Sequence, residues 1–383
     1  MLEPTIGTLL PALFRRFHRP SQATAQITTI LRSNSTGLRI GDPISQGFQR
    51  SSRETSSWAS EKRHTTGLLE SCVWIICIVA ATSSVFLIHR SGAAVDVASL
   101  LAALAIFGFL LTAHIVYRQL RPSPALSNLC GGLAAILLSG ATAGIISLVG
   151  LRNNAPFIDA ELANWDRAAG VDLPAVIAWV ADHPSWSHLL AVTYGSSFPL
   201  LFAVTTALAI TRRFDHLWIL TFTFVVTILA CAGISVIWPA KGAFAFFEYP
   251  ASLLEHLPTG SGLYHLSKLD YFRGAASPLL SFANLQGVVT FPSFHCCLAL
   301  MLIFATWTIR WLFPISLGWN SLVIMSTIPI GGHYAIDLPC GAIVWIVATG
   351  IAVVLASLRR DDSSLERQRD LSDGHLSLRL RLF

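Results

Sequence analysis

Apolar residues run in long blocks along this chain, and polar residues are confined to the gaps between them. Eight blocks stand out, at about 68–88, 93–117, 129–151, 187–210, 216–238, 292–313, 316–331 and 334–357. A helix rises about 1.5 Å per residue and the hydrocarbon core of a bilayer is roughly 30 Å thick, so about 20 apolar residues read as one crossing. The pattern predicts an all-α fold, a polytopic transmembrane helical bundle of about eight spans. The seventh block is short and carries Pro329. Two long polar gaps, 152–186 and 239–291, separate the blocks unevenly, and the second is rich in aromatic residues. Residues 1–66 are rich in Arg, Ser and Thr and read as a disordered tail, with "GTLLPALFRRFHR" as a candidate short interfacial helix. Residues 358–383 form a second polar tail of mixed charge.

Composition agrees with a membrane setting. The chain of 383 residues is 53% hydrophobic and 12% charged, with mean hydropathy +0.61; soluble domains carry about twice that charged fraction. The formal charge of +5 is no signal for nucleic acid, because the basic residues sit at the termini and in short loops. Arg50, Arg53, Lys62 and Arg63 precede the first block, and Arg118 and Arg121 follow the second. Arg212 and Arg213 follow the fourth, Arg310 lies near the end of the sixth, and Arg359 and Arg360 follow the eighth. With eight spans these groups share one side, which is the cytosol by the positive-inside rule. Both termini are then cytosolic, and both long gaps face the opposite side. Asn34 in "SNST" fits a glycosylation pattern, but a cytosolic tail would not receive it. No apolar core and cleavage site of a secretory signal is found there. The seven cysteines lie in or beside apolar blocks, without CxxC pairs or Cys/His metal spacing, and read as small apolar residues. No metal and no cofactor is expected.

Three segments carry candidate chemistry, and the topology puts all three on the non-cytosolic side: "WPAKGAFAFFEYP" after block five, "FPSFHCC" opening block six, and "MSTIPIGGHYAIDLPCG" between blocks seven and eight. His333 and Asp337 are four residues apart at a helix start, a spacing that puts both on one face. A carboxylate that accepts from one imidazole nitrogen leaves the other free as a nucleophile. An aspartate inside a span is costly and usually functional. Pro292 suits the first turn of a helix, where the amides of Ser293, Phe294 and His295 lack partners and make an anion site. A histidine there can donate a proton to a leaving oxygen.

The order Pro-Ser-x-His (Pro292 to His295), then Ser-Thr-x5-His-x3-Asp (Ser326 to Asp337), resembles the type 2 phosphatidic acid phosphatase superfamily. "FPSFH" together with "GGHYAID" looks most like the branch of inositol phosphorylceramide and sphingomyelin synthases. The resemblance covers about residues 155–357. It divides the chain into the tail 1–66, accessory transmembrane helices over 67–153, a catalytic transmembrane domain over 154–357 and the tail 358–383. Some positions depart from the family pattern. Phe294 stands where the motif has glycine, Thr327 where arginine is frequent, and Lys241 is followed by no Arg-Pro after six residues. The basic clamp on phosphate is depleted, as it often is in the synthase branch.

The resemblance implies metal-independent phosphoryl transfer in an integral membrane enzyme acting on a lipid phosphate or phospholipid in the bilayer. His333 would attack phosphorus to form a phosphohistidine, Asp337 would orient it, and His295 would protonate the leaving alcohol. Lys241, Ser293, Phe294, Ser326, Thr327 and Gly332 would surround the phosphate. Water as acceptor makes a lipid phosphatase; a headgroup alcohol makes a transferase. Two rivals stand beside this reading. One is a transporter with His333 and Asp337 as a proton relay, although no internal repeat of the kind transporters show is found. The other is an inactive lipid-binding homologue. "DAELANWDRAAGVDLPAVIAWVADHPSW" reads as amphipathic helix on the outer interface, anchored by Trp165, Trp179 and Trp186, with its acids solvated. Residues 239–291 read as a solvated lid carrying Glu248, Tyr249, His256, His265, Lys268, Asp270 and Arg273. His89, His114 and His188 are taken as structural.

Overall fold

The computed structural model describes residues 44–357, with side chains from Gly67 onward. The rest of the two expected tails, with the candidate interfacial helix, Asn34, Arg359 and Arg360, lies outside the described residues. The chain divides into a unit Met1–Trp58 and a unit Ala59–Phe383. Of the first, only helical backbone from Ile44 is described, and everything below concerns the second.

The fold is all-α. Its long helices are α1 (Ile44–Ser91), α2 (Val97–Ile115) and α3 (Pro124–Gly150). Two short helices follow, α4 (Asp159–Ala168) and α5 (Leu173–Ala181). Then come α6 (Pro184–Gly195), α7 (Ser197–Ile210) and α8 (Phe214–Ile237). The second polar gap holds α9 (Ala243–Phe247), α10 (Ala251–Leu254) and α11 (Leu266–Gly274). The chain then forms α12 (Phe294–Thr306), α13 (Leu312–Ser326) and α14 (Asp337–Ser357). The starts are set locally. The Asp96 and Asp172 carboxylates and the Ser293 hydroxyl accept from Ala98, Ala175 and Cys296 amides, and Pro124 and Pro184 open helices where a missing N–H costs nothing.

Among the described residues, five helices are long and apolar enough to cross a bilayer: Gly67–Ser91, Val97–Leu120, Pro124–Asn153, Phe214–Ile237 and Asp337–Ser357. These are blocks one, two, three, five and eight. Block four is instead two helices, α6 and α7, bent by 50°. Pro199 lies in the first turn of α7 and has no N–H to give to Gly195, so the helix cannot run straight through. In the bend the carbonyls of Thr193 and Tyr194 accept from the hydroxyls of Ser196 and Ser197. Blocks six and seven correct the expectation of eight full spans. Helices α12 and α13 have 13 and 15 residues, about 20 and 23 Å at 1.5 Å per residue. The apolar run outlasts the helix in each case, because turns over 307–311 end α12 after Thr306 and the turns around Pro329 end α13 after Ser326.

Helices α1, α3 and α8 run side by side in one direction. Trp218 Nε1 donates to Asn128 Oδ1 at 2.6 Å near their starts. At the far end a Cβ on Gly150 would lie 2.1 Å from Val236, so only glycine lets α3 and α8 meet there. The buried face of α3 is built from small residues, among them Gly132, Ala135, Ser139, Thr142 and Ala143. Close backbone approach of this kind drives helix association where lipid is as apolar as the side chains. One end of the bundle therefore gathers the C-terminal ends of α1, α3, α8 and α13 and the N-terminal ends of α2, α7, α12 and α14. The two polar gaps cap this end, tied together by Arg273 donating to Asn154 Oδ1 and Ala155 O, and the turn between α1 and α2 joins the second through Ala94–Val95 pairing with Leu279–Leu280. The other end carries a buried cluster in which Glu70 meets His114 at 3.2 Å and also Arg118. His114, taken from sequence as structural, joins α1 to α2 there.

Candidate active site

Helix α13 gives way to turns after Ser326, and Gly332 takes φ +79°, a backbone state that disfavours any side chain. Its carbonyl accepts from Ala243 N at 2.9 Å. This brings the chain after α8 against the turn that carries His333. Four residues on, Asp337 opens α14. Its Oδ2 accepts from His333 Nδ1 at 3.0 Å and from Tyr334 N at 3.0 Å. Both side chains are buried, His333 at 3% exposure and Asp337 at 0%. The carboxylate fixes the proton on Nδ1, so the lone pair of a neutral imidazole sits on Nε2. Among the described residues His333 Nε2 makes no hydrogen bond.

His295 sits one residue into α12. Its ring stacks on Tyr194 at 4.2 Å between centroids, and its Nδ1 lies 3.3 Å from Tyr194 Oη. Tyr194 Oη in turn lies 2.8 Å from Tyr264 Oη. With Tyr194 donating to Nδ1, the imidazole proton of His295 is carried on Nε2. Tyr194 also touches the other side of the site: a Cβ on Gly331 would lie 3.0 Å from its ring and 3.1 Å from His333 Cδ2. His333 is within electrostatic reach of His295 and of His265. Helices α12 and α14 are held in register by Ser293 N donating to Asp337 O at 3.1 Å and by close approach of Gly341 to the Ser293 carbonyl.

Of the acids of α4, Glu161 is exposed as the sequence reading has it, but Asp159 and Asp166 are not. Asp159 and Asp166 are 5% and 2% exposed. Asp159 accepts from Lys241 N and Gly242 N, each at 2.9 Å, and from Tyr334 Oη at 2.9 Å. Asp166 accepts from Ala335 N and Ile336 N, each at 2.8 Å. One helix thus clamps both chain segments that frame His333. Burial and the Asp159 carboxylate push the Tyr334 phenol well above its ordinary range, which keeps it a donor. Of the residues named in 239–291, Glu248, His256 and Asp270 are exposed as a lid would have them, but His265 is not. His265 is buried and its Nε2 donates to Lys241 O at 2.7 Å; burial holds its pKa below the usual value, partly offset by that carbonyl.

The residues expected around phosphate are placed unequally. The Lys241 ammonium stands 5.2 Å over the Phe157 ring, which Arg273 also covers at 4.0 Å. The Ser293 hydroxyl is occupied as the α12 cap, and its amide is bonded to Asp337, so the expected trio of free amides at this helix start reduces to Phe294 and His295. The Phe294 ring packs into the core on Phe224. The hydroxyls of Ser326 and Thr327 donate to Val323 O and Ile324 O, and Thr327 O accepts from His333 N. Gly332 contributes the turn. Among the described residues no group of three or more His, Cys, Asp and Glu side chains is placed to hold a metal ion. The described cysteines are free thiols, and Cys297 Sγ donates to Gly341 O, helping to join α12 to α14.

Residues 160–351 match the family model of the PAP2 superfamily. The chain belongs to the PAP2 superfamily. Among curated proteins and among solved structures, none matches it. The PAP2 match opens at α4 and ends within α14, so it includes His295, His333 and Asp337 and most of the clamp described above. Asp159 falls one residue before it. Tyr194, Tyr334, Asp159 and Asp166 were missed by sequence reasoning, although Asp159, Leu162, Ala163 and Asp166 are all buried and stand at i, i+3, i+4 and i+7. That spacing is one helix face, and carboxylates within an apolar face signal partners inside the protein rather than water.

Proposed function

We propose that this PAP2 protein is an integral membrane lipid phosphatase or phosphotransferase working through a phosphohistidine on His333. The observation that carries the reading is the buried His333–Asp337 pair at 3.0 Å, with Nε2 left as the reactive nitrogen, at the bundle end where His295 also lies. In the first step His333 Nε2 attacks phosphorus, the bond to the leaving oxygen breaks, and His295, entering the step as the imidazolium, gives that oxygen a proton and becomes neutral. In the second, His295 takes the proton from the acceptor, the acceptor oxygen attacks phosphorus, and the P–N bond breaks to restore His333. Asp337 stabilises the imidazolium-like charge that develops on His333. Following the positive-inside reading, this end faces the periplasm, lumen or exterior.

The gathering of polar groups at helix ends favours this over a proton relay, whose groups are expected near mid-membrane. A headgroup transferase of the inositol phosphorylceramide synthase type is favoured over a simple phosphatase by one feature. Among the described residues no Arg or Lys side chain hydrogen-bonds or pairs with His295, His333 or Asp337; the phenols at hand are Tyr194 on His295 and Tyr264 beyond it. Arginine is the residue suited to bidentate phosphate recognition, whereas phenols can hydrogen-bond an alcohol. The test is a leaving-group comparison in purified protein. His295→Ala should slow cleavage of a lipid phosphate about 10²–10⁴-fold and a nitrophenyl phosphate far less, because nitrophenolate needs little protonation. Equal losses on both would remove His295 from the acid role. Product formed only when a headgroup alcohol is added would select transfer over hydrolysis.

A further inference from the structure

A groove of about 590 Å³ lies between α1, α3 and α8, with no histidine in its lining. Its volume is within the range of ligand clefts, roughly 300–1,000 Å³. Phe86 and Leu87 of α1, Ile146 and Val149 of α3 and Val236 of α8 form apolar walls. Leu87 packs on the Ile145–Val149 cluster, while Phe86 is 59% exposed. Gly233 of α8 also lines the groove, and a Cβ built on it would meet nothing within 4 Å. A side chain there would project into open space.

Two guanidinium groups border these walls. Arg90 lies in the last turn of α1, with Cζ 6.0 Å from the Phe86 centroid. Arg152 lies in the turn after α3 and is braced by donating Nη1 to Ala275 O and Nη2 to Ala276 O. Among the described residues neither arginine is in an ion pair, and no acidic side chain lines the groove. Both stand at the bundle end of the histidines. If that end is non-cytosolic, as the reading above has it, the positive-inside rule gives no reason for cations there. Apolar walls from three spanning helices, with unpaired positive charge at one end, complement an amphiphile with an anionic head.

We propose that this groove binds a membrane phospholipid, acyl chain along the walls and anionic headgroup at Arg90 and Arg152, as a site separate from His333. A lipid there would fill the space between the accessory helix α1 and the catalytic part of the bundle.

The test is retention of lipid by the full chain. Protein purified in detergent is incubated with dioleoylphosphatidylglycerol, dioleoylphosphatidylcholine or inorganic phosphate, then examined by native mass spectrometry. The same samples are run in a His333→Ala background, so that occupancy of the reaction site is read apart. Phosphatidylglycerol should be retained in both backgrounds. Arg90→Gln, at an exposed position, should lower retention about tenfold or more, the scale of one charge-assisted hydrogen bond. Gly233→Leu should lower it similarly by occupying the groove. Equal retention of phosphatidylcholine with no effect of Arg90→Gln would overturn the headgroup assignment. Binding of inorganic phosphate as tight as that of the lipid would replace the lipid with a free anion. Retention untouched by both substitutions, or a dimer that Gly233→Leu dissociates, would overturn the lipid site altogether. Loss of retention only in the His333→Ala background would assign the lipid to the reaction site instead.

Discussion

Replacing Asp159 separates its three bonds into different costs. Its Oδ1 accepts from Gly242 N and Tyr334 Oη, and its Oδ2 accepts from Lys241 N alone. In Asp159→Asn the amide oxygen can keep the Oδ1 pair, but the NH2 then faces the Lys241 N–H, donor against donor. One charged hydrogen bond is lost, worth about 1.5–3 kcal/mol. In Asp159→Ala all three buried donors lose their acceptor, for about 3–6 kcal/mol once their shared geometry is allowed for. That is a large part of the roughly 5–15 kcal/mol by which a domain is stable. The same bonds position the turn of Gly332 and His333, and a shift there of about 1 Å can cost roughly 10²-fold in rate. The assay is thermal unfolding in one detergent beside turnover of a lipid phosphate and a nitrophenyl phosphate. The expected order of unfolding midpoints is wild type, Asn, Ala. Turnover should fall in parallel on both substrates, because the defect is in positioning and not in proton transfer. Glu161→Gln, exposed on the same helix, should change nothing. Asn indistinguishable from wild type, or as damaging as Ala, would refute the assigned bond pattern.

At Asp337 both donors meet Oδ2 and Oδ1 has no partner, so Asp337→Asn can keep its oxygen on His333 and Tyr334 and lose only charge. Its rate should lie well above that of Asp337→Ala with a near wild-type unfolding midpoint; equal rates would show that the carboxylate does not act through His333. Tyr194→Phe keeps the stack on His295 and removes the hydroxyl, so it should slow poor leaving groups more than good ones, and equal slowing would deny a link to the proton of His295. His265 is held below its ordinary pKa chiefly by burial, so the unfolded chain binds the proton first. Its share of stability is complete above the unfolded value of about 6.5 and drains as pH falls through the lower folded value. His265→Gln should flatten the fall of unfolding midpoint between pH 7 and pH 5, and an unchanged slope would assign that fall to other groups.

The long apolar blocks made the all-α membrane fold legible, because length and hydropathy alone decide whether a helix spans. What they concealed was where helices stop. Turns over 307–311, a proline at 199 and turns at Pro329 are local events inside apolar runs, and they changed one block into a bent pair and two into short helices. The His333–Asp337 pair was legible because i, i+4 spacing is itself geometry. The clamp by Asp159 and Asp166 was less so, since amphipathic spacing does not say whether a helix covers protein or water. The residues expected around phosphate were hardest: whether a hydroxyl or amide faces a ligand or its own helix depends on a single hydrogen bond, as at Ser326, Thr327 and Ser293.

Trapping the covalent intermediate tests the central claim most directly. Protein incubated with phosphorus-labelled lipid phosphate and quenched in alkali, where phosphohistidine survives, is digested and the label located by mass spectrometry. Label is expected on His333, absent in His333→Ala and accumulating when acceptor alcohol is withheld from a transferase. Label on another residue, or undiminished in His333→Ala, would contradict it.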